Sequence, residues 1–179
     1  MGLTEKPDDQ LVLAAMGGDV DSFVVLCHRY YLPIVAIARA VVGDGHLAED
    51  AAQEALAKAC RRLDSLKNPK RFGAWLATIC RNEARDILRR RPNIESLGER
   101  DIPAEVPDSD PEADAVREAL NSMSPESREL LHLRYRNDLS YEAIADLLDI
   151  SPEAVHGRLR RAKLEVKTHL ERSRNRRSS

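Results

Sequence analysis

The chain has 179 residues and a formal net charge of −2 at pH 7, with 42% hydrophobic, 32% charged and 4% aromatic residues. The hydrophobic content permits a packed core, and the scarcity of aromatic residues favours helices over β-sheet. No hydrophobic run reads as long enough to cross a bilayer, and the N-terminus is acidic and polar. From these features we expect a cytoplasmic protein without membrane insertion, and neither a membrane-spanning nor a secreted one.

Three cysteines, Cys27, Cys60 and Cys80, fall in helical patterns without C-x-x-C spacing. Their odd number and their spacing favour buried thiols in a reducing compartment over a disulfide framework or a zinc site. We therefore expect no metal and no cofactor. The sequence leaves open whether any of the three thiols has a redox role.

Apolar residues at three- and four-residue steps predict four helices in the first half of the chain, near residues 9–16, 23–41, 47–63 and 71–91. Glycine clusters separate the first three helices, and a loop over residues 64–70 precedes the fourth. These elements predict a compact helical domain over residues 1–91.

Two of these helices have faces with a distinct chemistry. The third helix places alanines on one side and Asp50, Gln53 and Glu54 on the other. An acidic and amide stripe of this kind could dock a basic partner, although a solvated charged face is the commoner explanation of the pattern.

The fourth helix carries arginines about one helical turn apart. They are accompanied by Trp75 and Asn82 and preceded by the cations of the loop; the set comprises Lys67, Lys70, Arg71, Arg81, Arg85 and Arg89. Cations interleaved with an aromatic ring suit single-stranded nucleic acid, whose phosphates pair with arginine and whose unstacked bases lie on aromatic faces. Trp75 could equally be a plain core residue.

Residues 92–111 differ in character from both flanks. They are rich in proline and acidic residues, and Arg100 is their one cation. This composition predicts a flexible acidic linker without a fold of its own.

The C-terminal half predicts helices near 111–122, 125–136, 141–148 and 152–170, and residues 140–170 read as a helix-turn-helix. Ser151 is a good N-cap and Pro152 suits the first helical position, so the second helix of the motif should begin there. Such a helix enters the major groove of duplex DNA. We expect a second domain over residues 112–172 and a disordered basic tail over 173–179.

One side of that second helix is apolar, and the opposite side is polar and basic. Arginines can pair with guanine edges, while lysines more often meet phosphates. An ordinary charged surface helix is the alternative. The candidate duplex-contacting residues are Ser151, Glu153, His156, Gly157, Arg158, Arg160, Arg161 and Lys163.

Three ordered segments resemble the extracytoplasmic-function sigma factors of bacterial RNA polymerase, in the sigma-70 family. They are Asp50-Ala-Ala-Gln53-Glu54, the stretch over residues 72–91 that begins Phe72-Gly-Ala-Trp75, and the stretch over residues 120–163 that contains Ser140-Tyr-Glu142-Ala-Ile144-Ala145. The resemblance covers residues 9–170 and implies an all-α fold of two small domains, sigma domain 2 and sigma domain 4. The chain departs from the family pattern at Cys60, where a bulky aromatic residue is usual, and at Asp149, where the turn commonly has glycine.

The resemblance also implies roles and partners. Asp50, Gln53 and Glu54 correspond to the patch that docks on the clamp helices of the polymerase largest subunit, and the β-subunit flap is a second polymerase contact. Residues 64–70 correspond to the segment that captures a base flipped from the minus-10 element, and the helix-turn-helix to the reader of the minus-35 element. The residues implied for minus-10 DNA are Lys67, Asn68, Lys70, Arg71, Trp75, Arg81, Asn82, Arg85, Asp86 and Arg89.

The expected function is therefore promoter-specific transcription initiation with core RNA polymerase, and an anti-sigma factor is an expected further partner. A stand-alone helix-turn-helix regulator is the alternative, but it leaves the arginines of the fourth helix without a purpose. An enzyme is disfavoured, because the sequence has no glycine-rich phosphate loop, nucleophile elbow or metal-ligand cluster.

Overall fold

The computed structural model describes residues 2–90 and 111–177, and over these ranges the fold is all-α, as the sequence predicts. Four helices form an N-terminal bundle: α1 (Asp8–Met16), α2 (Val20–Val42), α3 (Gly45–Arg61) and α4 (Phe72–Arg90). Four more form a C-terminal bundle: α5 (Pro111–Ser122), α6 (Pro125–Leu131), α7 (Tyr141–Leu148) and α8 (Pro152–Arg177). The predicted linker lies almost entirely outside the described residues.

Side-chain caps and glycine fix the helix boundaries in the N-terminal bundle. The Asp19 carboxylate accepts hydrogen bonds from the backbone N–H groups of Asp21 and Ser22 at the start of α2. Gly43 ends that helix with φ of 76°, a left-handed conformation that glycine adopts without steric cost. Asp44 then caps α3 by accepting from the Leu47 N–H at 2.8 Å. The turn between α2 and α3 is therefore encoded locally.

Small side chains let the long helices of this bundle approach closely. α2, α3 and α4 all contact one another, and the inner face of α3 is built of buried alanines at positions 48, 51, 52, 55 and 59. On α4, the Phe72 ring packs edge-on against Tyr30 with centroids 5.4 Å apart. These contacts leave the outer face of α3 and the C-terminal part of the outer face of α4 exposed.

The expectation that no hydrophobic run is long enough to cross a bilayer is wrong as a statement about length and composition. By length and composition, α2 is apolar enough to cross a membrane, with a mean hydropathy of 1.4 over its most apolar window. Its apolar residues instead fill the core, since Leu26, Ile34 and Ile37 have no exposed surface. A helix in contact with neighbours on several sides is hydrophobic for that reason.

In the C-terminal bundle, α8 packs against α5, α6 and α7. The predicted helix over residues 125–136 is divided, with α6 followed by a π-helical turn over His132–Arg136. α8 continues to Arg177, so the predicted disordered tail is corrected as far as that residue. Residues 158–177 contain no glycine or proline that would end a helix. Their many arginine, lysine and glutamate residues are good helix formers, so α8 continues through them.

The two bundles pack against each other instead of forming two separate bodies. α4 contacts α7, and α2 contacts both α6 and the π-helical turn. One continuous set of buried residues runs from Leu11 in α1 to Ala162 in α8. Sequence patterns predicted two domains but contained no sign of this interface.

The cysteines differ in exposure. Cys80 is buried, Cys27 is half-buried and Cys60 is exposed, which corrects the expectation that all three are buried. Burial raises the pKa of the Cys80 thiol to about 12 and also raises the pKa of Cys27. Cys60 occupies the outer side of α3 next to Arg61, so its position on the helix explains its exposure.

Candidate nucleic-acid and polymerase interfaces

The helix-turn-helix has the predicted geometry. Asp149 adopts the left-handed conformation at the end of α7, with φ of 56° and ψ of 47°. The Ser151 hydroxyl accepts from the Ala154 N–H at 3.2 Å and caps α8. Val155 and Leu159 are buried against the bundle. An aspartate thus serves where glycine is common, because Asp tolerates this conformation better than most residues.

The face of α8 opposite its buried stripe is open. A Cβ atom added at Gly157 would meet nothing within 4 Å, so another molecule can approach the helix backbone there. The hydrogen bonds of Glu153 to its own backbone N–H and to Ser151 lower the pKa of its carboxyl. The exposed candidates are Ser151, Glu153, His156, Arg158, Arg160, Arg161 and Lys163, and Gly157 is partly exposed.

Two aromatic residues that sequence reasoning missed support this face. Lys163 Nζ lies 5.1 Å from the centre of the Tyr135 ring, and a hydrogen bond with Tyr135 raises the pKa of Lys163. The His156 ring meets Tyr141 edge-on, with centroids 5.7 Å apart. Both tyrosines belong to other elements of the bundle, so no periodicity in α8 could have indicated them.

The predicted polymerase-docking stripe lies on the outer surface of α3. Asp50, Gln53 and Glu54 are all exposed. Glu54 forms an ion pair with Arg61 at 2.7 Å, and about half of each side chain remains accessible. The stripe is therefore acidic and amide in character with one carboxylate already paired, and exposed pairs of this kind are weak enough to exchange partners.

The segment between α3 and α4 is more ordered than the predicted loop. It contains two 3-10 turns, Leu63–Ser65 and Pro69–Arg71. The Asn68 side chain caps the second turn by accepting from the Lys70 N–H at 3.1 Å. Lys67 and Lys70 are exposed. This segment therefore has a fixed shape that presents two cations beside the start of α4.

The distal half of the arginine row is exposed as predicted. Arg85 donates to the Asn82 side chain at 3.4 Å, and Arg89 pairs with Asp86 at 3.0 Å. Three of these residues, Asn82, Arg85 and Arg89, are exposed, and Asp86 is partly so. This half can contact a phosphate backbone without rearrangement of the fold.

The proximal half of the row is not free, which corrects the predicted outward position of Arg81. Arg81 donates to both carboxylate oxygens of Glu129 in α6, at 2.6 and 3.2 Å. Only 23% of the Arg81 side chain is exposed. Arg71 likewise forms an ion pair with Asp149 in the turn of the helix-turn-helix. In this structure, carboxylates of the C-terminal bundle occupy both arginines.

A cleft of about 450 Å³ lies where these groups meet. Lys67, Asn68 and Trp75 line it from the N-terminal bundle, and Leu148 and Asp149 line it from the C-terminal bundle. Trp75 is partly buried, with its ring centroid 6.1 Å from that of Phe72. It thus combines contact with the core and an accessible edge, which fits both readings of this residue.

Across residues 2–90 and 111–177, no three His, Cys, Asp or Glu side chains are grouped so that they could hold a metal ion. The candidate DNA-binding surfaces of α4 and α8 are instead rich in cations, amides and aromatic rings. Such groups bind phosphates and bases.

Each of the two bundles matches a known protein family region. Residues 26–93 match the family described as Sigma-70 region 2, and residues 113–166 match Sigma-70, region 4. The first match covers most of α2 through α4, and the second covers α5 through most of α8. The arginine row therefore lies in region 2 and the helix-turn-helix in region 4.

Curated relatives agree. The chain is 31% identical to the ECF RNA polymerase sigma-E factor of Escherichia coli K12, over 90% of this chain and 93% of that protein. It is 30% identical to the RNA polymerase sigma-H factor of Pseudomonas aeruginosa, over 90% of this chain and 92% of that protein. It is also 36% identical to a probable sigma factor, RfaY, of Xanthomonas campestris, but the match spans only 37% of that protein's length.

Solved structures are similar too. CnrH, in complex with the cytosolic domain of CnrY, matches with a TM-score of 0.63 and 27% identity, over 92% of this chain and 97% of that one. The sigma factor RpoE from Bartonella quintana, in complex with the anti-sigma factor NepR, matches with a TM-score of 0.57 and 26% identity, over 83% and 96%. With the family matches and the sequence relatives, these similarities show that the chain belongs to the sigma-70 family, among its extracytoplasmic-function sigma factors.

Proposed function

We propose that this chain is an alternative sigma factor that binds core RNA polymerase and directs promoter-specific transcription initiation, with α8 on minus-35 duplex DNA and α4 on the melted minus-10 element. The observation that carries the proposal is the presence of two nucleic-acid-binding faces of different chemistry in one chain. The α8 face is a basic helix suited to a groove, and the α4 face combines arginines with an accessible aromatic edge.

Upstream recognition falls to α8. Its exposed arginines can make paired hydrogen bonds to guanine edges in the major groove, and Lys163 and Lys167 suit phosphates. The open space at Gly157 allows close approach to the DNA. Because phosphate contacts release counterions, log affinity should fall by about 0.9 per neutralised phosphate for each log unit of salt.

Downstream recognition falls to α4 and the segment before it. Flipping a base out of the stack costs a few kcal/mol, so a cleft that rewards the correct base couples recognition to strand separation. Lys67, Asn68 and Trp75, which line the cleft from the N-terminal bundle, supply the polar and aromatic groups that such a base needs. Asn82, Arg85, Asp86 and Arg89 extend from it along the adjoining strand.

Polymerase docking falls to Asp50, Gln53 and Glu54 on α3, which can meet a basic surface on the clamp helices of the largest subunit. The β-subunit flap is the proposed site for the C-terminal bundle. Two of the similar structures contain a second protein, CnrY in one and an anti-sigma factor in the other. We accordingly assign an anti-sigma factor as a further partner of this chain.

The polymerase supplies the chemistry in this scheme, and the chain supplies sequence recognition. We therefore assign no catalytic role to the chain and place it in the cytoplasm, where bacterial polymerase acts.

Transcription by purified core polymerase on a fragmented genomic library tests the proposal. With the full chain added, we expect transcripts whose templates share two spaced upstream motifs. The D50A/Q53A/E54A variant should lose core binding in a pull-down, whereas E49A, a change at an exposed neighbour on the same helix, should retain it. The proposal fails if the chain does not associate with core polymerase, or if it binds palindromic DNA as a dimer without polymerase.

A further inference from the structure

The contact between Arg81 and Glu129 has the geometry by which arginine holds a phosphate. Two guanidinium nitrogens meet two carboxylate oxygens at 2.6 and 3.2 Å. A planar, forked pair of this kind forms equally well with the oxygens of a phosphate group. Glu129 is nearly buried, with 5% of its surface exposed. A DNA strand cannot reach the same guanidinium edge while α6 stays in place.

A second pair repeats the arrangement at the other end of the contact. Arg71, at the start of α4, pairs with Asp149 in the turn of the helix-turn-helix, and about half of each side chain is exposed. Asp149 also forms one wall of the cleft that faces Lys67 and Trp75. Two carboxylates of region 4 thus lie against two arginines proposed for minus-10 DNA.

We propose that Glu129 and Asp149 act as an intramolecular mimic of the DNA backbone, which holds region 4 over the minus-10 face of region 2 and keeps the free protein from binding single-stranded DNA. The inference rests on the proposed function, because it takes the α4 face to be the site for the melted strand. Opening then requires the two arginines to exchange carboxylates for phosphates.

The energetics of the pair suit a reversible contact. Burial raises the pKa of the Glu129 carboxyl, and the hydrogen bond from Arg81 only partly opposes this. Because the cost of desolvating this carboxylate is incompletely offset, the ion pair adds little net stability to the contact between the bundles. It still favours an arginine at this position over an uncharged partner. The Arg71 pair is accessible to solvent and therefore weak. A polyanion that offers several phosphates at once can displace both.

Two substitutions remove the charges with little change of shape. E129Q keeps a side chain that can accept from Arg81, and D149N keeps a residue that tolerates the left-handed conformation of the turn. The matched control is E126Q/D138N. Glu126 is exposed on the same helix, and Asp138 is exposed with φ of 52° and pairs with Arg134 inside region 4. Both double variants change the net charge equally, so general attraction to DNA is the same.

The test measures binding of the full free chain to a fluorescent single-stranded oligonucleotide of mixed sequence, by anisotropy at fixed salt. The E129Q/D149N variant should bind about tenfold more tightly than the E126Q/D138N control, because a larger fraction of molecules is open. Small-angle X-ray scattering should give it a larger radius of gyration than the control. Circular dichroism and thermal unfolding establish that both variants are folded.

Equal affinity and equal radius of gyration in the two variants would overturn the proposal. A larger radius without tighter binding would also overturn it, because the carboxylates would then hold the bundles together without competing with DNA. Transcription by core polymerase with the wild-type chain separates the two proposals. If the wild-type chain initiates transcription and the variants bind alike, the mimic fails while the sigma-factor function stands.

Discussion

Arg81 of α4 and Glu129 of α6 join the two bundles through two hydrogen bonds, one of them at 2.6 Å. Arg81 lies in the part of the chain that matches Sigma-70 region 2, and Glu129 lies in the part that matches Sigma-70 region 4. While the bundles are packed, removing either partner would leave the other charge partly buried and unpaired, which is costly. The arrangement of the bundles is therefore specified by electrostatics as well as by apolar packing.

Arg160 and Lys167 are expected to differ in the kind of DNA contact they make. R160A should cost about 1–3 kcal/mol at particular base pairs, because a paired contact to a base edge is lost. K167A should weaken binding equally on all sequences. It should also reduce the slope of log affinity against log salt by about 0.9, the contribution of one phosphate contact. Binding to a set of single-base-pair variants of a promoter, measured at two salt concentrations, separates these effects. A uniform loss for R160A would reassign that residue to phosphates.

Gly157 offers a test in which stability and binding should move in opposite directions. G157A should raise the free energy of unfolding by about 0.5–1 kcal/mol, because alanine is the better helix former and the added methyl group meets nothing within 4 Å. Affinity for upstream duplex DNA should fall by about tenfold, or about 1.4 kcal/mol, because the methyl group would occupy the space left for DNA. Urea unfolding and a duplex-binding assay measure the two quantities. Unchanged binding would mean that the DNA does not approach this point closely.

Gly73 should tolerate no side chain. A Cβ atom there would lie 2.8 Å from Cε1 and 3.0 Å from the hydroxyl oxygen of Tyr30, and that ring is fixed by Phe72 and by a hydrogen bond to Asp8. G73A should therefore reduce the free energy of unfolding by about 1–3 kcal/mol through overpacking. G45A is the matched control, because its methyl group would come no closer than 3.7 Å to Arg39. Equal stability of the two variants in urea would contradict the packing described for α2 and α4.

His132 should make stability depend on pH. Burial, together with Arg39 from α2 and Arg136 and Arg128 from the C-terminal bundle, lowers the pKa of its imidazole to about 4. In the unfolded chain the imidazole takes up a proton near pH 6.5, while in the folded chain it stays neutral. Unfolding therefore takes up a proton between these values, and the free energy of unfolding should fall as pH decreases from about 6.5 to about 4.

The control for this prediction is a pair of variants, H132Q and H28Q. H132Q should lose less stability than the wild type over the same pH range, because the group that resists protonation is gone. H28Q changes an exposed histidine on α2 and should follow the wild type. Parallel pH profiles for H132Q and the wild type would show that His132 is not the group responsible.

Local features of the chain were readable from sequence because their causes are local. Apolar periodicity predicts α6, and periodicity together with the Ser151-Pro152 start predicts α8 and the helix-turn-helix. The left-handed turn at Asp149 follows from its position between two helical patterns. The outward faces of α3 and α8 follow from the same periodicity, because a helix that buries one side exposes the other.

Features that depend on distant partners were not readable. Periodicity placed Arg81 on the outward side of α4, but Glu129 comes from a helix beyond the linker and removes Arg81 from the surface. Hydropathy along α2 does not indicate whether lipid or protein surrounds it; the contacts with α1, α3 and α4 do. Likewise, Tyr135 contacts Lys163 and Tyr141 contacts His156 because the bundle packs their helices together, which the sequence pattern of α8 does not indicate.

Hydroxyl-radical footprinting of the polymerase holoenzyme on a promoter recovered from the library most directly tests whether two faces of this chain bind two segments of one promoter. We expect two protected blocks separated by accessible DNA, with permanganate-reactive thymines at the downstream block. R160A/R161A should erase the upstream block, and R85A/R89A should reduce the permanganate reactivity downstream. A single block, or two blocks that respond identically to both variants, would contradict the assignment of separate DNA segments to α8 and α4.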